Sequence, residues 1–273
     1  MSARQRSTVR LQTCTLWIFL VPLALAQGTP PPAMAPDAKP ALDVATIKPS
    51  QPDEQRLVYV EGTHLATRAT TLVDLMTFAY SVHSLQITGG PQWIRSDRYD
   101  VLMQPNPGGR PSTAQMRSIM QGLLADRFQL RLHHASKEME VYAIVPSKRG
   151  PHLAPTTAGE VAANTAAVGF APGRMTASNA SVTEFANLLN RYGQLEWPVV
   201  DDTHIPGKFD YKLAWIPGAA QLASSLPLPA GTDPAPASDL FAAIDEQLGL
   251  ELKARKEPAD VLVIDAVEKP SAN

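Results

Sequence analysis

The sequence predicts an α+β protein built from two related two-layer units, each a small mixed or antiparallel sheet with helices on one face. Three observations carry this. Apolar residues recur at helical spacing in four segments; the spacing drops to two directly after the second and the fourth; and the segments fall in the same order on both sides of a central tract rich in Pro and Ala.

The elements follow in chain order. Residues 1–26 read as a signal peptide: Arg4, Arg6 and Arg10 stand without an acidic residue, an apolar run extends from Leu16 to Ala24 broken only by Pro22, and Ala24-Leu25-Ala26 has the small-x-small form of a cleavage site. The run is shorter than the ~20 residues a membrane helix needs, so no membrane span is expected after cleavage. Cys14, the one cysteine, leaves with this segment, and a mature chain would hold no disulfide, thiolate ligand or cysteine nucleophile. Residues 27–41, rich in Pro, Ala and Gly, read as a disordered tether.

Residues 42–150 form the first expected unit. Leu72, Leu75, Met76 and Ala79 share one helix face, and Met116, Ile119, Met120, Leu123 and Leu124 share another. Thr71 with Asp74 and Ser112 with Gln115 supply the capping signals at their starts. Phe128, Leu130 and Leu132 then alternate with polar residues, and a polar connection leads to Val141 through Val145, which reads as a β-hairpin. Residues 151–172 read as a linker. Residues 173–270 form the second unit, with a loop inserted at about 217–237. Its helix faces are Val182, Phe185, Ala186 and Leu189, capped by Ser181 with Glu184, and Phe241, Ile244 and Leu248, capped by Ser238. Leu248, Leu250 and Leu252 followed by Val261 through Ile264 repeat the hairpin pattern.

The two units correspond residue by residue. Thr71 to Met76 matches Ser181 to Ala186, and Arg98 to Val101 matches Lys208 to Tyr211, both at an offset of 110; Phe128 to Leu132 matches Leu248 to Leu252, and Val141 to Ile144 matches Val261 to Ile264, both at 120. Four collinear matches, with one step at the inserted loop, point to internal duplication.

At these residues the chain resembles an uncharacterised family of exported, soil-associated bacterial proteins. The resemblance runs from Asp43-Val44-Ala45-Thr46-Ile47-Lys48-Pro49-Ser50 to Val267-Glu268-Lys269-Pro270-Ser271. It is most specific at Gln86-Ile87-Thr88-Gly89-Gly90-Pro91 with Trp93, Ser96-Asp97-Arg98-Tyr99-Asp100, Leu123 to Phe128, and Pro198-Val199-Val200-Asp201. In the family pattern a Gly usually stands where this chain has His204. The family has no established activity. Related domains follow membrane metallopeptidases of the β-lactam-sensor type, which implies sensing or interaction, and the His-Glu-x-x-His helix of such a peptidase is not in this sequence. Each half also resembles, in pattern, the short amino-terminal domain of secretins and TonB-dependent receptors, which binds envelope proteins.

The sequence carries no Gly-x-Ser-x-Gly elbow, no Ser-x-x-Lys and no Gly-rich phosphate loop. Neighbouring His133 and His134 fall on opposite faces of a strand and do not share a metal; no cofactor and no metal site is expected. Subtracting Arg4, Arg6 and Arg10 from the 24 basic residues leaves 21 against 26 acidic ones, a charge of −5 without a basic patch, which argues against nucleic acid as a partner. Asp201 and Asp202, beside His204, read as turn residues. The cluster of Asp97, Arg98 and Asp100 recurs as Lys208 and Asp210, which reads as a structural ion pair. Trp93, Trp197 and Trp215 are candidates for partner contact, with core packing as the alternative. The candidate partner-binding set is Trp93, Arg98, Tyr99, Trp197, Asp201 and Asp202. The leading expectation is an exported, non-catalytic module binding an envelope protein or cell-wall component through a sheet edge. A hydrolase of polysaccharide or peptide using Asp201 and Asp202, and a small-ligand sensor between the halves, stand as alternatives.

Overall fold

The computed structural model describes residues 32–270 apart from 36, 62–63, 107–108, 157–166 and 219–237. The expected signal peptide, the first part of the tether and nearly all of the inserted loop lie outside the described residues. The first half runs β1 (Leu42–Pro49), β2 (Leu57–Glu61), β3 (His64–Thr71), α1 (Leu72–Tyr80), β4 (Ile87–Gly89), α2 (Trp93–Ser96), β5 (Arg98–Pro105), α3 (Thr113–Arg127) and β6 (Arg131–Pro146). The second runs β7 (Ala154–Pro155), β8 (Ala167–Ala171), β9 (Arg174–Ala180), α4 (Val182–Tyr192), β10 (Val199–Asp201), β11 (Phe209–Ala214), α5 (Leu240–Leu248) and β12 (Leu250–Ala266). The fold is α+β, as the spacing predicts.

Helix starts are set locally. Thr71, Ser112 and Ser181 each accept a hydrogen bond from the backbone N–H three residues on, and the side chains of Asp74, Gln115 and Glu184 accept one from the cap backbone N–H. The start of α5 corrects the expectation: Asp239, not Ser238, is the cap, its Oδ1 accepting from Ala242 N at 2.9 Å, while the Ser238 hydroxyl donates to Glu246. The helix ends also differ from the expected alternation. Phe128 closes α3, Gln129 takes a left-handed φ of +48°, and the strand begins only at Arg131. Gly249 holds the corresponding place after α5 at φ +64°, where a Cβ would stand 1.8 Å from Gly150 O, so only glycine fits.

The two expected hairpins do not form. Leu132 and Val141 to Val145 lie on one continuous strand, as do Leu250, Leu252 and Val261 to Ile264, and the two strands pair with each other: β6 runs antiparallel to β12 from Leu250↔Pro146 to Ala266↔Arg131. The reason is the intervening sequence. His133 to Glu140 and Lys253 to Asp260 contain no Gly or Asn to reverse the chain, so both continue extended and expose their polar side chains. Pro258, opposite Glu138 at the centre of the ladder, does not disrupt it. On β12 the carbonyl groups of Asp260 and Leu262 accept from Gln86 Nε2 and Thr88 Oγ1, so even-numbered residues direct their backbone outward, and the missing N–H of Pro258 costs no ladder bond.

Exchange continues at the sheet ends. β4 of the first half lies parallel to β12 of the second (Ile87↔Leu262), and β10 of the second lies parallel to β6 of the first (Val199↔Tyr142). The central sheet therefore has the order β10-β6-β12-β4, and it is flanked by two sheets of like order, β1-β5-β3-β2 and β7-β11-β9-β8. β7 and β8 fall within the stretch expected to be a linker. Part of the expected tether is also engaged: Ala33 bridges to Arg110, Met34 is buried, and Gln115 Nε2 donates to the carbonyls of Ala35 and Ala38.

Two apolar cores result, and each takes a residue from the other half. Ile264 of β12 packs with Leu72, Met76, Ile94, Leu123 and Phe128; Ile144 of β6 packs with Phe185, Leu189, Tyr211, Trp215 and Ile244.

The expected ion pair at Arg98 and Asp100 is corrected. Asp100 accepts from the Ser50 hydroxyl at 2.5 Å and from Ala69 N at 3.0 Å; Ala69 has a left-handed φ of +48° within a bulge where β3 meets β5. Asp210 likewise accepts from Asn179 N at 2.9 Å, at φ +57° beside the bulge where β9 meets β11. The paired carboxylates hold two bulges, and Lys208 pairs with Glu184 instead. Burial raises the Asp100 pKa, but the bonds from Ser50 and Ala69 outweigh it and hold the carboxyl below its ordinary value. A carboxyl so depressed stabilises the fold above its unfolded pKa of ~3.9 and loses that contribution as pH falls through the folded value. Asp100→Ala is expected to cost about 2 kcal/mol at pH 7 in urea unfolding, with the gap to wild type narrowing once pH falls below about 3.9.

Candidate functional site

Of the residues singled out from the sequence, Trp93, Arg98 and Tyr99 lie at the first core. Trp93 opens α2 and is half-buried; its ring stacks on Phe128 at 6.5 Å between centroids, and Lys269 Nζ stands 5.7 Å above it. Lys269 pairs with Asp97 at 2.7 Å, and that bond keeps the Asp97 carboxyl below its ordinary pKa. Tyr99 is buried, edge-on to Phe128 at 5.5 Å. Arg98 is exposed at the start of β5. Trp93 and Tyr99 therefore hold the end of α3 in place. Trp215 is fully buried in the second core, which corrects its candidacy as a contact residue.

Trp197, Asp201 and Asp202 gather around β10, which is positioned by α4: the Asn190 side chain donates to Val199 O at 2.9 Å and accepts from Val199 N at 2.6 Å. Asp201 accepts from Thr203 N, Thr203 Oγ1 and Thr183 Oγ1, fixing a turn and tying it to α4. Asp202 pairs with Arg255 of β12 at 2.6 Å. Each carboxylate is thus committed to a structural partner. His204, where the family pattern has Gly, takes a left-handed φ of +56°. Trp197 packs on Tyr142 at 5.1 Å, and Tyr142 meets Phe241 edge-on at 5.2 Å, with Phe241 exposed. These three rings form an aromatic step on the surface of the central sheet, beside the start of β10.

The edge of β6 next to this step is bare. Tyr142 donates its N–H to Pro198 O at 2.7 Å and Ile144 O accepts from Asp202 N at 3.0 Å, so the even-numbered residues of β6 direct their backbone groups away from β12. Leu132, His134, Ser136, Glu138 and Glu140 continue that set. β10 covers only Tyr142 to Ile144, and among the described residues no strand lies beside the rest. Cross-strand pairs flank the edge: His133 Nδ1 lies 2.9 Å from Asp265, and His134 Nδ1 lies 2.8 Å from Asp260, on opposite faces of the ribbon.

A shallow cleft of about 360 Å³ opens between β1 and α3, where Asp43, Ser118, Asp126 and Arg127 are the polar lining residues. Arg127 is spent on Asp126 at 3.1 Å. Sequence reasoning passed over Arg117 of α3 and Arg191 of α4. Arg191 lies over the rings of Phe78 and Tyr192 at 4.3 and 4.8 Å, and Arg117 Nε is buried without an acceptor. No motif marks them, since each is a single basic residue beside a helix stripe.

Among the described residues no group of three or more His, Cys, Asp or Glu side chains could hold a metal ion, and no helix is long and apolar enough to cross a membrane. A family model described as a protein of unknown function (DUF3738) matches residues 73–267. No curated protein and no solved structure matches the chain.

Asp201→Ala is expected to lower stability by about 2 kcal/mol, because three donors lose a charged acceptor at once. Thermal unfolding checks it, with a fall of about 4–8 °C expected for a domain of this size.

Proposed function

The chain belongs to the DUF3738 family of proteins of unknown function, and on that premise we propose that it is an exported, non-catalytic binding module of the cell envelope that captures an extended segment of a partner protein by adding it to the edge of β6. The bare edge from Leu132 to Glu140 carries this reading. An added strand would take the outward N–H and C=O groups of alternate residues, and it would meet the rings of Trp197, Tyr142 and Phe241 where β10 begins. Edges left this long are blunted in ordinary domains by charge or proline. β12 is blunted by Pro258, whereas β6 carries the charges of Lys137, Glu138 and Glu140 but keeps every N–H from Arg131 to Val141.

Further support comes from the Arg4, Arg6 and Arg10 leader with its apolar run, and from the resemblance to domains placed behind membrane metallopeptidases and at the amino ends of secretins. The collinear matches at offsets of 110 and 120, together with the like order of the two outer sheets, support an origin of the halves by duplication.

Protein recovered outside the cytoplasm is expected to begin at Gln27 by intact mass; a retained leader would overturn the export reading. The edge is tested by a photo-crosslinking side chain at position 136 in envelope fractions. Wild type is expected to give a discrete protein adduct. Adding Glu138→Pro removes one outward N–H, opposite the existing Pro258, and should abolish the adduct without changing the circular dichroism spectrum. An adduct that survives Glu138→Pro, or none with either chain, would count against strand addition.

A further inference from the structure

His83 joins the two halves through one ring. It stands at the head of the single turn Ser84–Gln86, where its Nδ1 accepts from Leu85 N at 3.2 Å, while its Nε2 lies 3.1 Å from the carbonyl oxygen of Leu195 in the second half. A backbone N–H can only donate, so Nδ1 is the bare nitrogen and Nε2 carries the hydrogen that Leu195 receives. The two contacts together require the neutral ring. A second proton would sit on Nδ1 and face the Leu85 N–H donor to donor.

What the ring fastens is the approach to β10. Two residues beyond Leu195, Trp197 rests on Tyr142, and the carbonyl of Pro198 accepts from Tyr142 N at 2.7 Å. The turn under His83 is itself fixed: His83 N donates to Gln86 Oε1 at 2.8 Å, and Gln86 Nε2 donates to Asp260 O of β12 at 2.8 Å. A bond from His83 to Leu195 thus ties a segment of the second half to a turn of the first that is anchored on the central sheet.

The charged and titratable groups on the surrounding elements are engaged elsewhere. Asp74 of α1 is taken by Thr71 and Arg56, and Tyr80 closes that helix; Asp260 of β12 pairs with His134. Arg191, four residues before Leu195, lies over Phe78 and Tyr192, and Glu196 acts on Tyr142. Burial lowers the His83 pKa below its ordinary value, and the Leu195 carbonyl restores only part of it. A base depressed in this way contributes stability that is complete above its unfolded pKa of ~6.5 and is lost as pH falls through the folded value.

We propose that His83 is a pH-operated latch between the halves: neutral, it holds residues 195–198, and with them the Trp197 ring, in place against β6; protonated, it lets that segment go. The aromatic step is therefore assembled at neutral pH and loosened in acid. The latch operates whether or not the edge of β6 takes up a strand.

Ring-nitrogen shifts and amide exchange of the full chain, followed by NMR from about pH 7.5 to about pH 5, test this. At the upper pH His83 is expected to show hydrogen on Nε2, and a ring with hydrogen on Nδ1 would overturn the latch. As the ring titrates, the Leu85 and Tyr142 amides, corrected for intrinsic rate, should exchange about fivefold faster, the factor that one hydrogen bond supplies. His83→Gln presents an N–H at similar reach without titrating, and it should keep the Tyr142 amide protected at both pH values, whereas His83→Ala leaves it open at both. His134→Gln removes the titrating ring beside Asp260 and should respond as wild type. Tyr142 protection that ignores pH in wild type, or a pH response that persists in His83→Gln or vanishes in His134→Gln, would also overturn it.

Discussion

Pairing of β6 with β12 is the interaction on which the rest of the molecule depends. Both outer sheets, with their helices, hang from the ends of this two-stranded ladder, and each core is closed by a residue that the ladder delivers from the other half: Ile264 to the first, Ile144 to the second. Because side chains alternate along a strand, a slip of one residue in this register would turn Ile264 and Ile144 away from both cores together. The short parallel additions of β4 and β10 then lock the register at each end, helped by the side chains of Gln86 and Asn190.

What the sequence made legible was local. Helix faces and three of the four caps are written within four residues of one another, since Thr71 reaches Asp74 and Ser181 reaches Glu184 inside one turn of chain. Strand partners are not written that way. The alternation of Leu130 with Leu132 and the run Val141 to Val145 announce extended chain but carry no signal of which strand lies alongside, and the partner proves to be about 120 residues away. The recurrence of Asp100 and Asp210 was visible while its cause was not, because a bulge whose left-handed residue is Ala69 has no local signature, and Asn179 alone is only a weak one.

The candidate site was legible in the same uneven way. Trp93, Trp197 and Trp215 look alike as letters, yet the fold buries Trp215, half-buries Trp93 on Phe128 and leaves Trp197 beside the exposed Phe241. Asp201 and Asp202 are adjacent but serve different elements, one binding its own turn and α4, the other reaching across to β12. Arg191 acquires its place over Phe78 only when α4 of the second half meets α1 of the first.

The position of Ile264, far along the chain from the residues it packs against, has a bearing on how the molecule is made. Packing around Leu72, Met76 and Phe128 stays open on one side until Ile264 has been synthesised. An amino-terminal half emerging alone would lack both the β12 neighbour of β4 and the Ile264 side chain that packs with α1 and α3. The first half therefore sets only once a residue of the second has joined it.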